Sequence, residues 1–280
     1  MGDQVVALLG GRGMLGTEVE AACLRRGYQV RVYDLPEFDI TSPDHLRQAV
    51  EAADVIVNCA AYTNVDGAQS QTQLAHRVNA EAVGRLGRLA RESGKWVLHF
   101  GTDFVFDGGL DRPYVETDSP NPINEYGKSK LAGEVLLRAS GCAHCLVRLE
   151  WTYGRHGKNF ITKLVERAQT QGTLSVVSDQ VGSPTATTEV AKAVCDLLER
   201  RVEGLFHFAS AGYVSRYEMA AFVFAHLGLE VELKACRTSD YPAAATRPLN
   251  SRFDCHKIQP LLGEPIAPWQ QPLEHFLREL

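Results

Sequence analysis

No stretch of this 280-residue chain is long and apolar enough to span a bilayer, which argues against a transmembrane helix. A basic surplus is lacking too: 29 Lys and Arg stand against 34 Asp and Glu, a formal net charge of −5. A nucleic-acid protein would usually present a basic face, so that class is set aside. A small anionic ligand is not, because local loops rather than net charge bind it. The N-terminus shows no basic n-region and no cleavage signature, since Met1-Gly2-Asp3-Gln4 runs straight into Val5–Leu9. The expectation is a cytoplasmic protein, with neither membrane nor nucleic acid as partner. Cysteine is present but in no framework: Cys23, Cys59, Cys142, Cys145, Cys195, Cys236 and Cys255 are odd in number and scattered. They read as reduced thiols. Cys142-Ala-His-Cys145 has CxxC spacing, yet no second pair stands at a suitable distance, so no metal is expected there. Internal repeats and low-complexity linkers are missing as well.

What is present is an ordinary globular composition, 45% hydrophobic and 22% charged. Val5–Leu9, Gln29–Tyr33, Val55–Asn58, Val97–Phe100 and Leu146–Leu149 read as short strands. Between them, Leu15–Arg26, Ala80–Glu92 and Tyr126–Arg138 have helical period. Such alternation implies right-handed βαβ crossovers and a parallel sheet covered on both faces, an α/β fold. After about Trp151 the pattern changes. Phe160–Gln169, Thr188–Arg200, Ser215–Leu227 and a last segment near Pro272–Leu280 look helical. Leu174–Val177 and Leu205–Phe208 look like strands, and Gly182-Ser183-Pro184 breaks the chain. The expected division is 1–150 as a dinucleotide-binding domain, with a strand near 205–208 returning to it, and 151–280 mainly as a substrate-binding cap.

Gly10-Gly-Arg12-Gly13-Met14-Leu15-Gly16 follows the first strand and opens the first helix. Gly10 permits the tight turn, Gly13 lets the backbone approach a pyrophosphate, and Gly16 lets helix and strand pack. The helix N-terminus offers free N–H groups and partial positive charge to the phosphates. This is the Rossmann-type arrangement, a doubly wound sheet holding a dinucleotide. Asp34 ends the second strand, where an acid binds the adenosine ribose hydroxyls. A carboxylate there repels a 2′-phosphate and leans the reading towards NADH. Arg12, able to pair with such a phosphate, keeps NADPH open.

Tyr126-Gly-Lys-Ser-Lys130 puts a phenol and an ammonium at i and i+4 on one helix face. The lysine charge is expected to lower the phenol's pKa from its ordinary ~10. The phenol can then give a proton to a carbonyl oxygen as hydride arrives at carbon. Thr102, after the fourth strand, can hydrogen-bond the same oxygen.

Several further segments carry a resemblance. They are Asn58-Cys-Ala-Ala61-Tyr62-Thr63-Asn-Val-Asp66, Phe100-Gly-Thr102-Asp103-Phe104-Val-Phe106-Asp107-Gly108 and Pro122-Ile-Asn-Glu-Tyr126-Gly-Lys-Ser-Lys130-Leu-Ala-Gly-Glu134. With them go Arg148 with Trp151-Thr-Tyr153-Gly154, Asp179-Gln-Val-Gly182-Ser-Pro184-Thr185 and Arg247-Pro-Leu-Asn-Ser251. Across nearly its whole length the chain resembles the dTDP-4-dehydrorhamnose reductases among the extended short-chain dehydrogenases. The resemblance implies reduction of the 4-keto group of dTDP-4-dehydro-L-rhamnose to dTDP-L-rhamnose. By position it implies Tyr126 as proton donor, Lys130 as the ligand of the nicotinamide ribose, and Thr102 as their assistant. It puts Gly10, Gly13, Met14, Leu15, Asp34, Asp39, Ile40, Ala61, Tyr62, Thr63, Tyr126 and Lys130 along the coenzyme, and Thr102, Asp103 and Trp151 along the sugar. It also implies a homodimer. Some family members bind magnesium through acidic residues at a dimer contact; the sequence places no such site here.

Leu149 and Glu150 depart from the family pattern, which has small polar residues there. A carboxylate beside the pocket bears on which sugar fits. Phe104 after Thr102-Asp103 removes the acid that a nucleotide-sugar dehydratase needs. An epimerase is disfavoured by the cap segments. A reductase of another nucleotide keto-sugar stays open, as does a non-catalytic subunit resembling the regulatory subunit of methionine adenosyltransferase.

Overall fold

The computed structural model describes residues 4–280. Its first half alternates strand and helix: β1 (Val5–Leu9), α1 (Met14–Arg25), β2 (Gln29–Tyr33), α2 (Pro43–Glu51) and β3 (Val55–Asn58). A short α3 (Val65–Ala68) leads to α4 (Thr72–His76), which runs through a π-helical turn, Arg77–Glu81, into α5 (Ala82–Glu92). Then come β4 (Trp96–Thr102), α6 (Glu125–Ser140) and β5 (His144–Leu149). The second half holds β6 (Thr152–Tyr153), α7 (Phe160–Ala168), β7 (Thr173–Val177), β8 (Val181–Gly182), β9 (Thr185–Ala186) and α8 (Thr187–Glu199). It continues with β10 (Gly204–Phe208), β11 (Val214–Ser215), α9 (Arg216–Leu227), β12 (Glu232–Cys236) and α10 (Gln270–Leu277).

Six strands form one sheet in the order β10-β5-β4-β3-β1-β2, and every pairing in it is parallel. The fold is α/β of the Rossmann type, as the alternation predicts. β3 is four apolar or amide residues buried throughout, as a strand covered on both faces must be. From β1 the chain steps outward to β2, then crosses back to β3 on the other side. That reversal opens a crevice at the carboxyl ends of β1 and β3, where open α/β sheets bind ligands. One face is covered by α1 and α8, packing Val19, Val190, Val194 and Leu198 on Val6, Leu8 and Val57. On the other face α2, α5 and α6 pack Leu46, Val83, Leu86 and Leu137 on Leu9, Ile56 and Val97.

Beyond β5, α7, α9 and α10 surround a separate apolar cluster that includes Ile161, Leu164, Met219, Val223, Phe224, Trp269 and Phe276. Parallel β7 and β12 lie beside it. β8 pairs with β11, and β9 with β6. β10 leaves this half to complete the main sheet beside β5.

The differences from the sequence reading have physical causes. α2 escapes it, although Ser42 caps the helix by accepting from the His45 N–H and Pro43 opens it. β12 escapes because no residue of it is fully buried, so it carries little apolar alternation. The helix placed at Ala80–Glu92 begins earlier, at Thr72. The π turn inserts a residue and breaks the 3.6 period there. Among the described residues no helix is long and apolar enough to cross a membrane.

Candidate active site

All the residues singled out as catalytic, coenzyme-binding or sugar-binding line one cleft of about 780 Å³ at the carboxyl edge of the sheet. Its first end is made by the glycine loop. Gly10 has φ +73°, a conformation that L side chains rarely adopt, and a Cβ there would meet the Ala60 nitrogen at 2.6 Å. A Cβ on Gly16 would run into the Gly10 carbonyl oxygen. α1 is preceded by Gly13 at its N-cap, which supplies no side-chain cap and leaves the first N–H groups for a ligand. These features fit a dinucleotide pyrophosphate.

Asp34 stands at the end of β2 with both oxygens engaged. One accepts from the Arg12 N–H at 2.8 Å and the other from the Leu35 N–H at 2.8 Å. The Arg12 side chain, which the sequence reading left as the rival determinant, pairs with Glu37 at 2.8 Å and donates to the Leu35 carbonyl at 3.2 Å. On the facing wall, buried Asn79 holds the Tyr62 backbone from both sides, accepting from its N–H at 2.8 Å and donating to its C=O at 3.0 Å. The same amide donates to Ser129 of α6 at 2.9 Å. Sequence reasoning missed Asn79, and the π turn that carries it masks the signal.

The other end is made by β4 and α6. Asn124 caps α6 by accepting from the Gly127 N–H at 2.8 Å, which fixes Tyr126 in the first turn. Gly127 admits the Phe104 carbonyl, where a Cβ would collide. Thr102 ends β4, donating to Asp103 at 3.1 Å and accepting from the Phe104 N–H at 3.3 Å. Ser251 donates to the other Asp103 oxygen at 2.6 Å. Burial nonetheless lifts Asp103 to about 6. Lys130, one turn after Tyr126, donates to the Phe100 carbonyl at 2.7 Å, and burial pulls it down to about 8. Another turn on, Glu134 pairs with Arg148 of β5 at 2.7 Å, both 3% exposed, which ties α6 to the sheet.

The expectation that Lys130 lowers the Tyr126 pKa is not met. Burial pushes the phenol up to about 12, the Asp103 charge adds to it, and only the Thr102 hydroxyl pulls the other way. The ammonium is directed to the Phe100 carbonyl, and spacing on a helix says nothing of how much water a site keeps. At neutral pH Tyr126 is therefore a protonated acid.

Glu150 lies beside the cleft, as expected of this carboxylate, without entering its lining. Leu149 and Trp151 line it, while Glu150 is 1% exposed beneath them. Trp151 has φ +42°. Arg216, absent from the sequence reading, is also in the lining, with its guanidinium carbon 3.5 Å from the centre of the Trp151 ring. Its local signal was the capping box Ser215-x-x-Glu218, which sets it at the first position of α9.

Comparison with known proteins places this geometry. Residues 4–280 match the family model described as RmlD substrate binding domain. The dTDP-4-dehydrorhamnose reductase of Salmonella typhimurium is 35% identical over 98% of this chain and 97% of its own. The crystal structure of the Bacillus anthracis dTDP-4-dehydrorhamnose reductase, solved in complex with NADP, superposes with TM-score 0.95 at 30% identity, covering 99% of this chain and 100% of that one. A dTDP-4-dehydrorhamnose reductase from Clostridium acetobutylicum gives 0.94 at 31% identity, over 98% and 99%.

Proposed function

The chain belongs to the RmlD substrate binding domain family, and from that premise we propose that it reduces the 4-keto group of dTDP-4-dehydro-L-rhamnose to dTDP-L-rhamnose with NADH or NADPH. The observation that carries the proposal is the meeting of Tyr126, Thr102 and Lys130 in one cleft with the glycine loop. Residues 1–150, with β10, hold the coenzyme in this reading, and 151–280 cover the sugar. Gly10, Gly13, Met14 and Leu15 receive the pyrophosphate. Asp34 faces the adenosine ribose, while Asp39, Ile40, Ala61, Tyr62 and Thr63 line the rest of the coenzyme path. When bound, the reduced nicotinamide supplies hydride to the ketone carbon.

Tyr126 gives its O–H proton to the ketone oxygen, which becomes the new hydroxyl. A phenol held near 12 keeps that proton until negative charge grows on the oxygen. Thr102 orients the same oxygen. Lys130, protonated below about 8, offers positive charge to the nicotinamide ribose and to the phenolate that remains. Asp103 and Trp151 hold the sugar. A homodimer is part of the proposal, and sedimentation showing only monomer would remove it.

The test is oxidation of NADH and of NADPH, followed by absorbance, with enzymatically generated dTDP-4-dehydro-L-rhamnose. Turnover yielding dTDP-L-rhamnose is the expected result. Coenzyme binding without oxidation would overturn the assigned reaction.

A further inference from the structure

Arg216 is poorly placed for stability. As the first residue of α9 it sets a cation against the positive end of the helix dipole. Its guanidinium is buried deeply enough to be pulled down to about 9, yet it makes no ion pair or hydrogen bond among the described residues. It stacks instead, 3.5 Å from the centre of the Trp151 ring and 4.7 Å from that of Phe160. Trp151 adopts the left-handed backbone region, an outlier for a bulky side chain. Behind the indole, a Cβ on Gly182 would meet the ring at 2.7 Å. The ring is thus clamped between the Gly182 backbone and a guanidinium plane, and both Trp151 and Arg216 face the cleft.

The nearby acids attract this cation but make no direct bond to it. Asp103 is committed to Ser251 and Thr102. Glu150 is buried with neither carboxyl oxygen partnered among the described residues. Burial first, then the Asp103 charge, raises its pKa well above the usual carboxylate value. A planar fork of donors facing a cleft, with no hydrogen bond or ion pair of its own among the described residues, is a site for an anionic oxygen brought by a ligand.

This inference rests on the reading of the cleft as a dTDP-sugar site: we propose that Arg216 is a substrate-binding residue that grips a diphosphate oxygen of the nucleotide-sugar, with Trp151 as the surface that fixes its plane. The sugar ring of that substrate is neutral, so its anionic oxygens lie only on the diphosphate. The coenzyme's pyrophosphate has its own place at the glycine loop. Arg216 belongs to the other end, within electrostatic reach of Asp103 and Glu150.

Arg216→Met keeps the apolar stem and removes the donors. In the full chain, calorimetric titration should show dTDP binding weakened about tenfold or more. Thymidine, which lacks phosphate, and NADPH should bind as to wild type. Arg216→Lys should regain part of the loss, since it keeps charge without the fork. In turnover, KM should rise by a similar factor with kcat changed less than about threefold. If Arg216→Met binds dTDP within about twofold of wild type, the proposal is overturned. Joint loss of dTDP and NADPH binding would also overturn it, by showing a structural role. Wild-type protein that binds NADPH but not dTDP would instead remove the dTDP-sugar reading itself.

Discussion

At the coenzyme end of the cleft the side chains of Asp34 and Asn79 already have partners inside the protein, while at the sugar end some of the most costly side chains have none. Asp34 spends both oxygens on loop N–H groups, and Asn79 closes its hydrogen bonds on Tyr62 and Ser129. Glu150, by contrast, is withdrawn from water with neither carboxyl oxygen partnered among the described residues, and the Arg216 guanidinium faces the cleft without a hydrogen bond. In the proposed reading the coenzyme end binds with backbone: free N–H groups at the start of α1 need only glycine and a rigid wall. In the proposed reading the sugar end binds through side chains, of which Arg216 is left without a hydrogen bond for a ligand to supply.

The largest effect that would test this separation is at Tyr126. Tyr126→Phe should lower kcat about 10²–10⁴-fold while NADPH titrates as in wild type. Loss of coenzyme affinity in the same variant would show that the two ends are one unit. Gly16→Ala attacks the opposite end, because its new Cβ meets the Gly10 carbonyl oxygen. Overpacking of this kind costs about 1–3 kcal/mol, and the expected result is a lower melting temperature and weaker NADPH binding, with dTDP affinity kept. Unchanged NADPH binding would mean the loop tolerates the shift.

Glu150 gives a subtler contrast. Its folded pKa lies above the unfolded value, so its contribution to stability is full below the unfolded pKa near ~4.3 and is lost as pH rises through the folded one. Glu150→Gln cannot ionise, so its melting temperature should gain on wild type as pH is raised. Parallel melting profiles would mean that Glu150 is ionised and partnered. The smallest effect is at Glu37, which with Arg12 is well exposed and forms a weak pair. Glu37→Gln releases Arg12 and should move the NADPH-to-NADH ratio of kcat/KM upward by roughly two- to fivefold. No movement would exclude Arg12 as a coenzyme determinant.

The same contrast governs what could be read from the sequence. β1 and β3 are legible to the residue because buried parallel strands are apolar runs bounded by glycine or polar residues. The glycine loop is legible because its demands fall on the backbone of consecutive residues. Asn79 and Arg216 are not, since their meaning depends on what tertiary packing sets beside them: the Tyr62 backbone for one, the Trp151 ring for the other. The Tyr126–Lys130 spacing names neighbours correctly yet misjudges the phenol, because burial outweighs the lysine charge. β12 fails for a plainer reason: it buries nothing fully.

The π turn at Arg77–Glu81 bears on how this protein tolerates changes of length. One surplus residue there turns everything before it by about 100° relative to everything after it. Leu74 and Val78, in the cleft wall, depend on that offset, as does the inward amide of Asn79. Deleting any single residue from this turn would restore a regular helix and rotate the wall out of place, although no side chain of proven chemistry had been touched. In most helices the exposed face accepts such an edit only at the ends; here the middle of a helix is a counted segment, whose length is as much a part of the binding site as its composition.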